Sequence, residues 1–414
     1  MKNTLLWILV ALMYPTISYA QEITGTWHGK LNAGRQQLEI IFHFGKTDDG
    51  KNSCKMDIPE QGARNIPVNL SQLTKSSVSL EIPAINLAYS ATLENDTLKG
   101  TFKQNGMTLP LNLTSGEAKK ANRPQEPKEP FDYKTEEVTF TNAADNATLA
   151  GTLTYPTEYT EGKQVPVVLM VTGSGAQNRN EELFEHKPFL VIADYLAKQG
   201  IASLRYDDRG VGKSTGNPSA CTSADFANDA KAGLAWLRSS KKFGKVGILG
   251  HSEGGMIAFM IGADKEADFI VSMAGSAIKG DTLIAEQQNA ILRINGMPAN
   301  RTVEQVREEI AAKPKNAWLD YFLNYDPTTA IAKITIPVMA INGSHDMQVL
   351  PTSNLTVIKG LLKSKNEKNF FKEYPELNHL FQHCKLNNAL DYYKIEETCS
   401  PEVLSDIANW INSL

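Results

Sequence analysis

The run 250–254, GHSEG, has the residue types and spacing of a serine nucleophile held in a sharp turn. It follows an apolar run at 246–249 and leads into another at 255–261, which predicts a strand, a tight turn and a helix with Ser252 at the apex. Glycines two residues to either side leave room for a turn too sharp for side chains. This arrangement indicates acyl transfer through a serine ester. An ordinary serine in a glycine-rich turn is the alternative, so the rest of the chain must supply a base, an acid and oxyanion donors.

A serine hydroxyl needs a base to accept its proton and a carboxylate to orient that base. Of the seven histidines, His379 is the best base, because it lies just beyond the strand-like run 369–374 near the C-terminal end of the chain. Asp346 is the best acid, because it comes directly after the apolar run 336–341, which predicts a strand. The candidate catalytic residues are therefore Ser252, Asp346 and His379.

Four patterns together resemble the α/β-hydrolase superfamily: GHSEG around Ser252, INGSHD ending at Asp346, LNH ending at His379, and YDDRGVGKS at 206–214. The chain order Ser, Asp, His is the order of that superfamily. Residues 135–414 resemble in particular its serine-aminopeptidase and monoglyceride-lipase-like branch, including exported bacterial esterases. The resemblance implies an α/β fold with a mostly parallel central sheet, a helical cap and a Ser-His-Asp triad.

An oxyanion site needs two backbone N–H donors, one from the residue after the nucleophile and one from an early strand-to-loop turn. Glu253 supplies the first donor. The sequence TGSG at 172–175 stands where the family carries His-Gly-x-Gly, which makes the amide of Ser174 the second. Thr172 replaces the family's histidine, so the neighbouring amide is the alternative donor.

Two motifs that would imply a cofactor or metal are incomplete. The run 212–214, GKS, copies the end of a phosphate-binding loop, but the glycine required five residues earlier is Asp207. His379 and His383 have the spacing of a zinc-protease helix, but Leu380 stands where that motif requires glutamate. We therefore expect neither a cofactor nor a metal.

Several other charged residues are interpreted as structural. Asp207, Asp208 and Arg209 are predicted to form an ion-pair loop beside the site and to take no part as catalytic acids. Arg179 has the position of a residue that holds a substrate carboxylate, but a solvated loop or an ion pair with Glu182 is favoured.

Composition and charge narrow the class of protein. The 414 residues carry a formal net charge of −4, which gives no reason to expect nucleic acid or an anionic membrane as a partner. Residues 1–20 contain Lys2, an apolar run at 5–13 and the sequence SYA at the end, which predicts a signal peptide cleaved after Ala20. The apolar run is too short to span a bilayer, so we expect a periplasmic or secreted protein without stable membrane insertion.

The mature chain divides by pattern into three segments. Residues 21–116 alternate apolar and polar residues in short runs between turn clusters, which predicts a small all-β domain, and the GTWHG opening at 25–29 resembles lipocalin-type domains. Residues 117–134 contain three prolines and no apolar periodicity, which predicts a semi-extended linker. Residues 135–414 alternate strands with helices, and the long insertion at 278–330 predicts the cap.

Four cysteines are too few for a disulfide scaffold, although export would permit bonding. Cys384 and Cys399 are the preferred pair because they lie close together near His379. Four free thiols are the alternative.

Three functions remain open at this level. The leading hypothesis is a hydrolase of small-molecule carboxylic esters with short-to-medium acyl chains, the alcohol being an acylated sugar or a lipid among other choices. The second is a serine peptidase or aminopeptidase, in which Glu181, Glu182 or Asp320 would hold the free amino group of a short peptide. The third is a non-catalytic lipid- or glycan-binding protein that uses the β-domain. The sequence leaves the oligomeric state open.

Overall fold

The structure, a computed structural model, describes residues 23–33 and 36–414. The chain divides into two compact units, one that ends at Lys120 and one that runs from Ala121 to Leu414. The predicted signal peptide, residues 1–20, lies outside the described residues. Within those residues no helix is both long and apolar enough to cross a membrane.

The first unit is a closed barrel of antiparallel strands, in which each strand pairs with the next and the last pairs with the first. The strands are β1 (Gly25–Ala33), β2 (Gln36–Lys46), β3 (Asn52–Ile58), β4 (Ala63–Leu73), β5 (Ser77–Ile82), β6 (Leu87–Glu94), β7 (Thr97–Gln104) and β8 (Met107–Ser115). Alternate side chains point inward, and those of Trp27, Phe42, Met56, Tyr89 and Leu113 are buried in one hydrophobic core. The up-and-down barrel confirms the predicted lipocalin-like all-β domain.

The second unit is built on one sheet of eight strands in the order β16-β15-β14-β13-β11-β12-β10-β9. The strands are β9 (Thr135–Asn142), β10 (Ala147–Thr154), β11 (Val167–Val171), β12 (Ala202–Tyr206), β13 (Val246–His251), β14 (Ile270–Met273), β15 (Val338–Gly343) and β16 (Phe370–Tyr374). Strands β9 and β10 form an antiparallel hairpin, β10 is antiparallel to β12, and the other pairs are parallel. This confirms the mostly parallel sheet.

Helices cover both faces of this sheet. They are α1 (Pro188–Lys198), α2 (Ser223–Ser239), α3 (Glu253–Ala263), α4 (Gly280–Ile294), α5 (Val303–Ala311), α6 (Ala317–Asn324), α7 (Thr328–Ile331), α8 (Asn354–Leu362) and α9 (Pro401–Asn412). Residues of α1 and α9 pack in one apolar core, and residues of α2, α3 and α8 pack in the other. The central parallel strands are therefore buried on both sides, which explains their continuous apolar runs.

Four helices, α4 to α7, occupy the insertion between β14 and β15 in which the sequence predicts a cap. Leu283 of α4 and Phe322 of α6 pack with Met256 of α3 and with Val349, which lies in the loop after β15. The cap is thus joined to the elements that follow the carboxyl ends of β13 and β15. Because parallel strands end at one edge of the sheet, the loops that follow them meet beneath these helices.

The predicted linker, 117–134, contains neither helix nor strand, and its second part is bound to the second unit. The Arg123 guanidinium donates to the backbone carbonyl of its neighbour Asn122 and to four carbonyls distant in the chain, those of Phe184, Glu185, Tyr393 and Ile395. The Gln125 side chain donates to the carbonyl of Cys399 and accepts from its N–H. From Ala121 onward this segment is therefore anchored, because polar side chains compensate for its missing apolar pattern.

The four cysteines are free thiols. Cys399 lies in the apolar core beside α1 and α9, whereas Cys384 packs in a separate small cluster with Met347 and Ala389. Burial raises the pKa of the Cys384 thiol to about 11 and raises that of Cys399 further. The predicted disulfide between Cys384 and Cys399 is wrong, because the two side chains belong to different packing clusters.

Candidate active site

Ser252 occupies a strained turn between β13 and α3. Its φ of 55° and ψ of −117° lie outside the regions that a residue with a Cβ ordinarily adopts, and its N–H donates to the Met273 carbonyl at 2.9 Å. A Cβ added at Gly250 would lie 2.0 Å from the Gly254 carbonyl oxygen, and one added at Gly254 would lie 2.1 Å from that of Val171. The backbone is packed so closely here that only glycine fits at either position.

Asp346 and His379 are joined by a buried hydrogen bond. His379 Nδ1 lies 2.8 Å from Asp346 Oδ2, and both side chains are almost completely buried. The Asp346 carboxylate also accepts from the backbone N–H groups of Gln348 and Val349, and from Nδ2 of Asn342. These donors hold the carboxylate rigidly, so that it can set the orientation of the imidazole.

His379 lies beside the turn that carries Ser252. Nε2 of His251, the residue before Ser252, is 2.9 Å from the His379 carbonyl oxygen, and the centroids of the two imidazole rings are 4.7 Å apart. Within residues 23–33 and 36–414, neither Ser252 Oγ nor His379 Nε2 has a hydrogen-bond partner. The backbone of His379 is therefore held next to the residue that precedes Ser252, through the contact of its carbonyl with His251.

The two predicted oxyanion donors face the same space as Ser252. Ser174, Ser252 and Glu253 line one cavity of about 340 Å³. Glu253 is the first residue of α3, so its N–H has no partner inside the helix. The N–H of Gly173 donates to Oε1 of Glu181 at 2.8 Å, which occupies the alternative donor on that side of Ser174.

Half of the residues that line this cavity come from the cap. Leu283 and Ile284 of α4 and Leu319 and Phe322 of α6 supply apolar surface, and Gln287 and Gln348 supply amides. Such a cavity, apolar with a few polar groups, is typical of a small-molecule site.

Trp318 lies between this cavity and a second one. Its side chain lines both the cavity of Ser252 and a neighbouring space of about 200 Å³, which is also lined by Gly175, Asp208 and Phe226. The indole N–H donates to Oε1 of buried Glu253 at 2.8 Å, and its ring stacks on Phe322 with centroids 5.3 Å apart. The indole is therefore held in place as a shared wall of the two cavities.

The acidic residues proposed to bind a peptide amino group do not line the cavity of Ser252. Glu181 is buried and bonded to Gly173 and His251, whereas Asp320 is exposed on α6. Asn178 Nδ2 lies 3.4 Å from a carboxylate oxygen of Glu182. The carboxylate that does line the cavity belongs to Glu253.

The charged loop after β12 is structural. Asp207 accepts a bidentate bond from Arg179, and Arg209 makes a bidentate bond to Asp229. Arg179 is thus paired, as the sequence suggests, but its partners are Asp207 and Glu137.

Asp208 supports the oxyanion loop, residues 172–177. Its carboxylate accepts from the Thr172 hydroxyl at 3.0 Å and from the Gln177 N–H at 2.9 Å. Burial raises the pKa of this carboxyl to about 7.

The roles of Glu181, His251 and Trp318 are not evident from the sequence. For His251 the available signal is its position directly before the nucleophile, which places a titratable group next to the site. Trp318 had a weaker signal, since it is an aromatic residue on a short cap helix. Both roles depend on contacts between residues far apart in the chain.

Comparisons with known proteins agree with this fold. The family model described as X-Pro dipeptidyl-peptidase (S15 family) matches residues 145–321, less than half of the chain. Esterase EstD of Thermotoga maritima is 27% identical over 259 residues, which cover 59% of this chain and 62% of the esterase. The chain therefore spans less than two thirds of the length of that curated relative.

Solved structures that resemble the chain include the esterase Pf2001 of Pyrococcus furiosus, with a TM-score of 0.47 and 17% identity over 72% of this chain and 99% of that one. Est1E of Butyrivibrio proteoclasticus, solved with ferulic acid bound, has a TM-score of 0.45 and 16% identity over 66% of this chain and 100% of that one.

The sheet order, the strained serine turn after β13 and the sequence similarity to the X-Pro dipeptidyl-peptidase (S15) family and to an esterase agree with one fold. The second unit of this chain has the α/β-hydrolase fold, and an eight-stranded β-barrel precedes it in the sequence.

Proposed function

We propose that this protein hydrolyses carboxylic esters through Ser252, His379 and Asp346. The observation that carries the proposal is the buried Asp346–His379 pair beside a strained serine that opens into a cavity. The similarity to Esterase EstD supports the same reaction. Ser174 and Glu253 are the proposed oxyanion donors.

In this mechanism Ser252 Oγ attacks the ester carbonyl carbon while His379 Nε2 accepts the hydroxyl proton. The oxyanion accepts hydrogen bonds from the N–H groups of Ser174 and Glu253. The bond to the alcohol oxygen then breaks, and His379 returns the proton to that oxygen. A water molecule attacks the acyl-enzyme by the same route in reverse, which releases the acid and restores the serine. Asp346 keeps Nδ1 protonated throughout, so that Nε2 is the basic nitrogen.

The cavity favours acyl groups of short to medium length. Its volume of about 340 Å³ is bounded by Leu283, Ile284 and Phe322 and closed on one side by Trp318. Apolar walls favour an alkyl or aryl acyl group over a charged one. Gln287 and Gln348 offer hydrogen bonds to a polar alcohol portion, such as a sugar.

The test compares Ser252→Ala with Ser272→Ala. Ser272 lies on β14 opposite Gly250, is buried, and its hydroxyl has no hydrogen-bond partner among the described residues, so its loss matches the chemical change without touching the cavity. We expect Ser252→Ala to abolish turnover of p-nitrophenyl butyrate and labelling by a fluorophosphonate probe. Ser272→Ala should keep both. Full turnover by Ser252→Ala would refute the proposal.

A serine peptidase is the second candidate, because the matching family model is described as an X-Pro dipeptidyl-peptidase. The matched residues, 145–321, contain Ser252 but end before Asp346 and His379. A dipeptidyl-peptidase needs an acidic group for the free amino terminus, and Oε1 of Glu253 is already bonded to Trp318 and Ser223. Parallel assays with acyl esters and aminoacyl anilides distinguish the two, and faster turnover of the anilides would favour the peptidase.

The binding-protein hypothesis receives no support from the barrel, whose interior is filled by large apolar side chains.

We also propose export to the periplasm or the medium, on the basis of residues 1–20. Mass spectrometry of the mature protein should find an N-terminus at Gln21, and an intact residue 1 in the cell fraction that holds the active protein would contradict export by cleavage.

A further inference from the structure

A buried carboxylate connects the oxyanion loop to the nucleophile turn. Glu181 is 1% exposed, and its Oε1 accepts from the Gly173 N–H at 2.8 Å and lies 2.9 Å from His251 Nδ1. Gly173 directly precedes the proposed oxyanion donor Ser174. A Cβ atom added to Gly173 would lie 3.2 Å from the Ser252 Cβ. Glu181 therefore fixes the loop at the point where it meets the nucleophile.

His251 continues this connection to the loop of the proposed base. Its Nδ1 faces the Glu181 carboxylate, and its Nε2 lies 2.9 Å from the His379 carbonyl oxygen. A neutral imidazole has a single N–H, whereas a carboxylate and a carbonyl both only accept. With Glu181 ionised, both contacts are satisfied together only by the imidazolium form, which carries an N–H on each nitrogen.

Another buried histidine in the chain shows the contrast. His186 is 0% exposed, and its Nδ1 lies 2.9 Å from the hydroxyl of Thr398 while its Nε2 lies 2.9 Å from the Tyr392 carbonyl. A hydroxyl can donate as well as accept, so a neutral ring satisfies this site. Burial accordingly lowers the pKa of His186 to about 4. Burial alone therefore does not explain a charged His251.

The groups around His251 favour its charge. Burial, the largest single effect, acts against the charged ring, but the Glu181 carboxylate, the His379 carbonyl and the Asp346 carboxylate together outweigh it, and the pKa of His251 is raised. Asp346 and His379 face the ring from the loops after β15 and β16, and Cys399 faces the same pocket as a thiol whose pKa burial raises.

We propose that Glu181 and His251 are positioning residues, a buried carboxylate–imidazolium pair that fixes the oxyanion loop against the loop of His379. The inference rests on the proposed ester hydrolysis, because it assigns the pair a role in aligning that site. The chain of contacts runs from the Gly173 N–H through Glu181 and His251 to the His379 carbonyl. A small shift between these loops would misplace the base and the oxyanion donor together, and such misplacements reduce turnover steeply.

Glu181 also has an electrostatic role in this arrangement. His379 gains a proton during the reaction, and its ring centroid is 4.7 Å from that of His251. Two imidazolium rings at that distance would repel each other. The carboxylate of Glu181 neutralises His251, just as Asp346 neutralises protonated His379. When His379 has accepted the serine proton, the site therefore holds two adjacent ion pairs, each without net charge, and the oxyanion carries the remaining negative charge.

The first test measures the charge of His251 in the resting wild-type enzyme, without using activity. In protein labelled with ¹⁵N-histidine, we expect one buried histidine to carry two slowly exchanging ring N–H protons at about pH 8, well above the ordinary histidine pKa. This signal should vanish in whichever His251 variant folds, and the His186 ring should carry one N–H proton. A His251 ring with a single N–H at that pH would overturn the proposal.

The second test separates the two contacts of His251. In His251→Asn the amide can replace Nδ1 toward Glu181, and in His251→Gln it can replace Nε2 toward the His379 carbonyl. We expect each variant to lower kcat by roughly 10- to 100-fold with KM changed less than about threefold, since alignment acts on the transition state. His186→Gln is the matched control: it removes a buried histidine whose partners, Thr398, Tyr392 and Gln382, include neither Glu181 nor the oxyanion loop, so it should lower Tm and change kcat less than either His251 variant.

Glu181→Gln adds a pH signature that a merely structural role would not produce. Without the carboxylate, burial lowers the pKa of His251, so its ring loses a proton as pH rises and one of its two bonds is lost. We expect a falling alkaline limb in the kcat profile of this variant that the wild type lacks. Unchanged kcat and pH profile in the folded Glu181 and His251 variants would refute the inference. If the wild type itself fails to react with a fluorophosphonate or an ester, the proposed function fails, whereas the ring protons still decide the charge of His251.

Discussion

Replacing Trp318 with alanine should merge the two cavities that share its indole as a wall. The cavity of Ser252 has a volume of about 340 Å³ and its neighbour one of about 200 Å³. A group of the size of water takes roughly 30 Å³, so the added space holds about six such groups. Four further methylenes of an acyl chain therefore fit in it. The variant should accept acyl chains that the wild-type wall excludes.

The size of the effect follows from apolar burial. Each methylene removed from water contributes about 0.8 kcal/mol, which corresponds to about a fourfold rise in kcat/KM when the transition state gains the whole contact. Four further methylenes contribute about 3 kcal/mol, or roughly 200-fold. The assay measures kcat/KM for p-nitrophenyl esters of increasing chain length. In the wild type the values should stop rising at a chain length that fills the first cavity, and in Trp318→Ala they should continue to rise beyond it.

Trp318→Phe is the control, because it keeps an aromatic wall and removes the N–H that donates to Glu253. Ser223 still donates to the same carboxylate oxygen, so this variant should fold and keep the wild-type chain-length limit. A limit that is the same in Trp318→Ala and the wild type would refute the role of the wall. A limit that moves equally in both variants would assign it to the hydrogen bond instead.

Two further predictions concern stability. Gly254→Ala should lower the free energy of unfolding by about 3 kcal/mol or more, because its Cβ would lie 2.1 Å from the Val171 carbonyl oxygen. Gly360→Ala in α8, where the Cβ meets open space, should raise the free energy of unfolding by about 0.5–1 kcal/mol. Urea denaturation measures both values, and equal effects of the two substitutions would contradict the packing argument. The pKa of Asp208 is about 7 in the folded state against 3.8 in the unfolded state, so the folded protein holds the proton more tightly and its stability falls as pH rises between these two values. The full shift corresponds to a loss of at most about 4 kcal/mol. Because the side chain is partly exposed, we expect about half of that loss. Asp208→Asn keeps an acceptor for the Gln177 N–H and should remove that decline, as measured by urea unfolding at about pH 5 and about pH 8; an identical decline in the variant would show that Asp208 is not its source.

Local sequence patterns predict much of the fold. The alternation in 21–116 predicts an all-β sandwich or a small barrel because side chains of a strand point alternately inward and outward, and the observed strands close into a barrel. Continuous apolar runs such as 167–171 predict buried parallel strands, and the structure has them between two layers of helices. The glycines around Ser252 indicate the sharp turn, because crowding at a turn acts between near neighbours in the chain.

The disulfide prediction failed because pairing of two cysteines depends on their positions in the folded protein and not on local sequence pattern. Fifteen residues separate Cys384 from Cys399, a distance in sequence that says little about direction in space. In the fold the two side chains pack in different clusters. The anchoring of Arg123 likewise depends on backbone carbonyls that lie 61 or more residues away in the chain.

The sequence by itself determined the kinds of element, their order and the three residue types placed after β13, β15 and β16, because these depend on periodicity and on turns of a few residues. Only the tertiary structure decided what surrounds them. The proposed charge on His251 follows from two acceptors supplied by Glu181 and His379, 70 and 128 residues away, and the indole N–H of Trp318 donates to Glu253, 65 residues away. A side chain's protonation and its share of a cavity are set by whichever distant groups the fold brings into contact, and no local pattern encodes that contact.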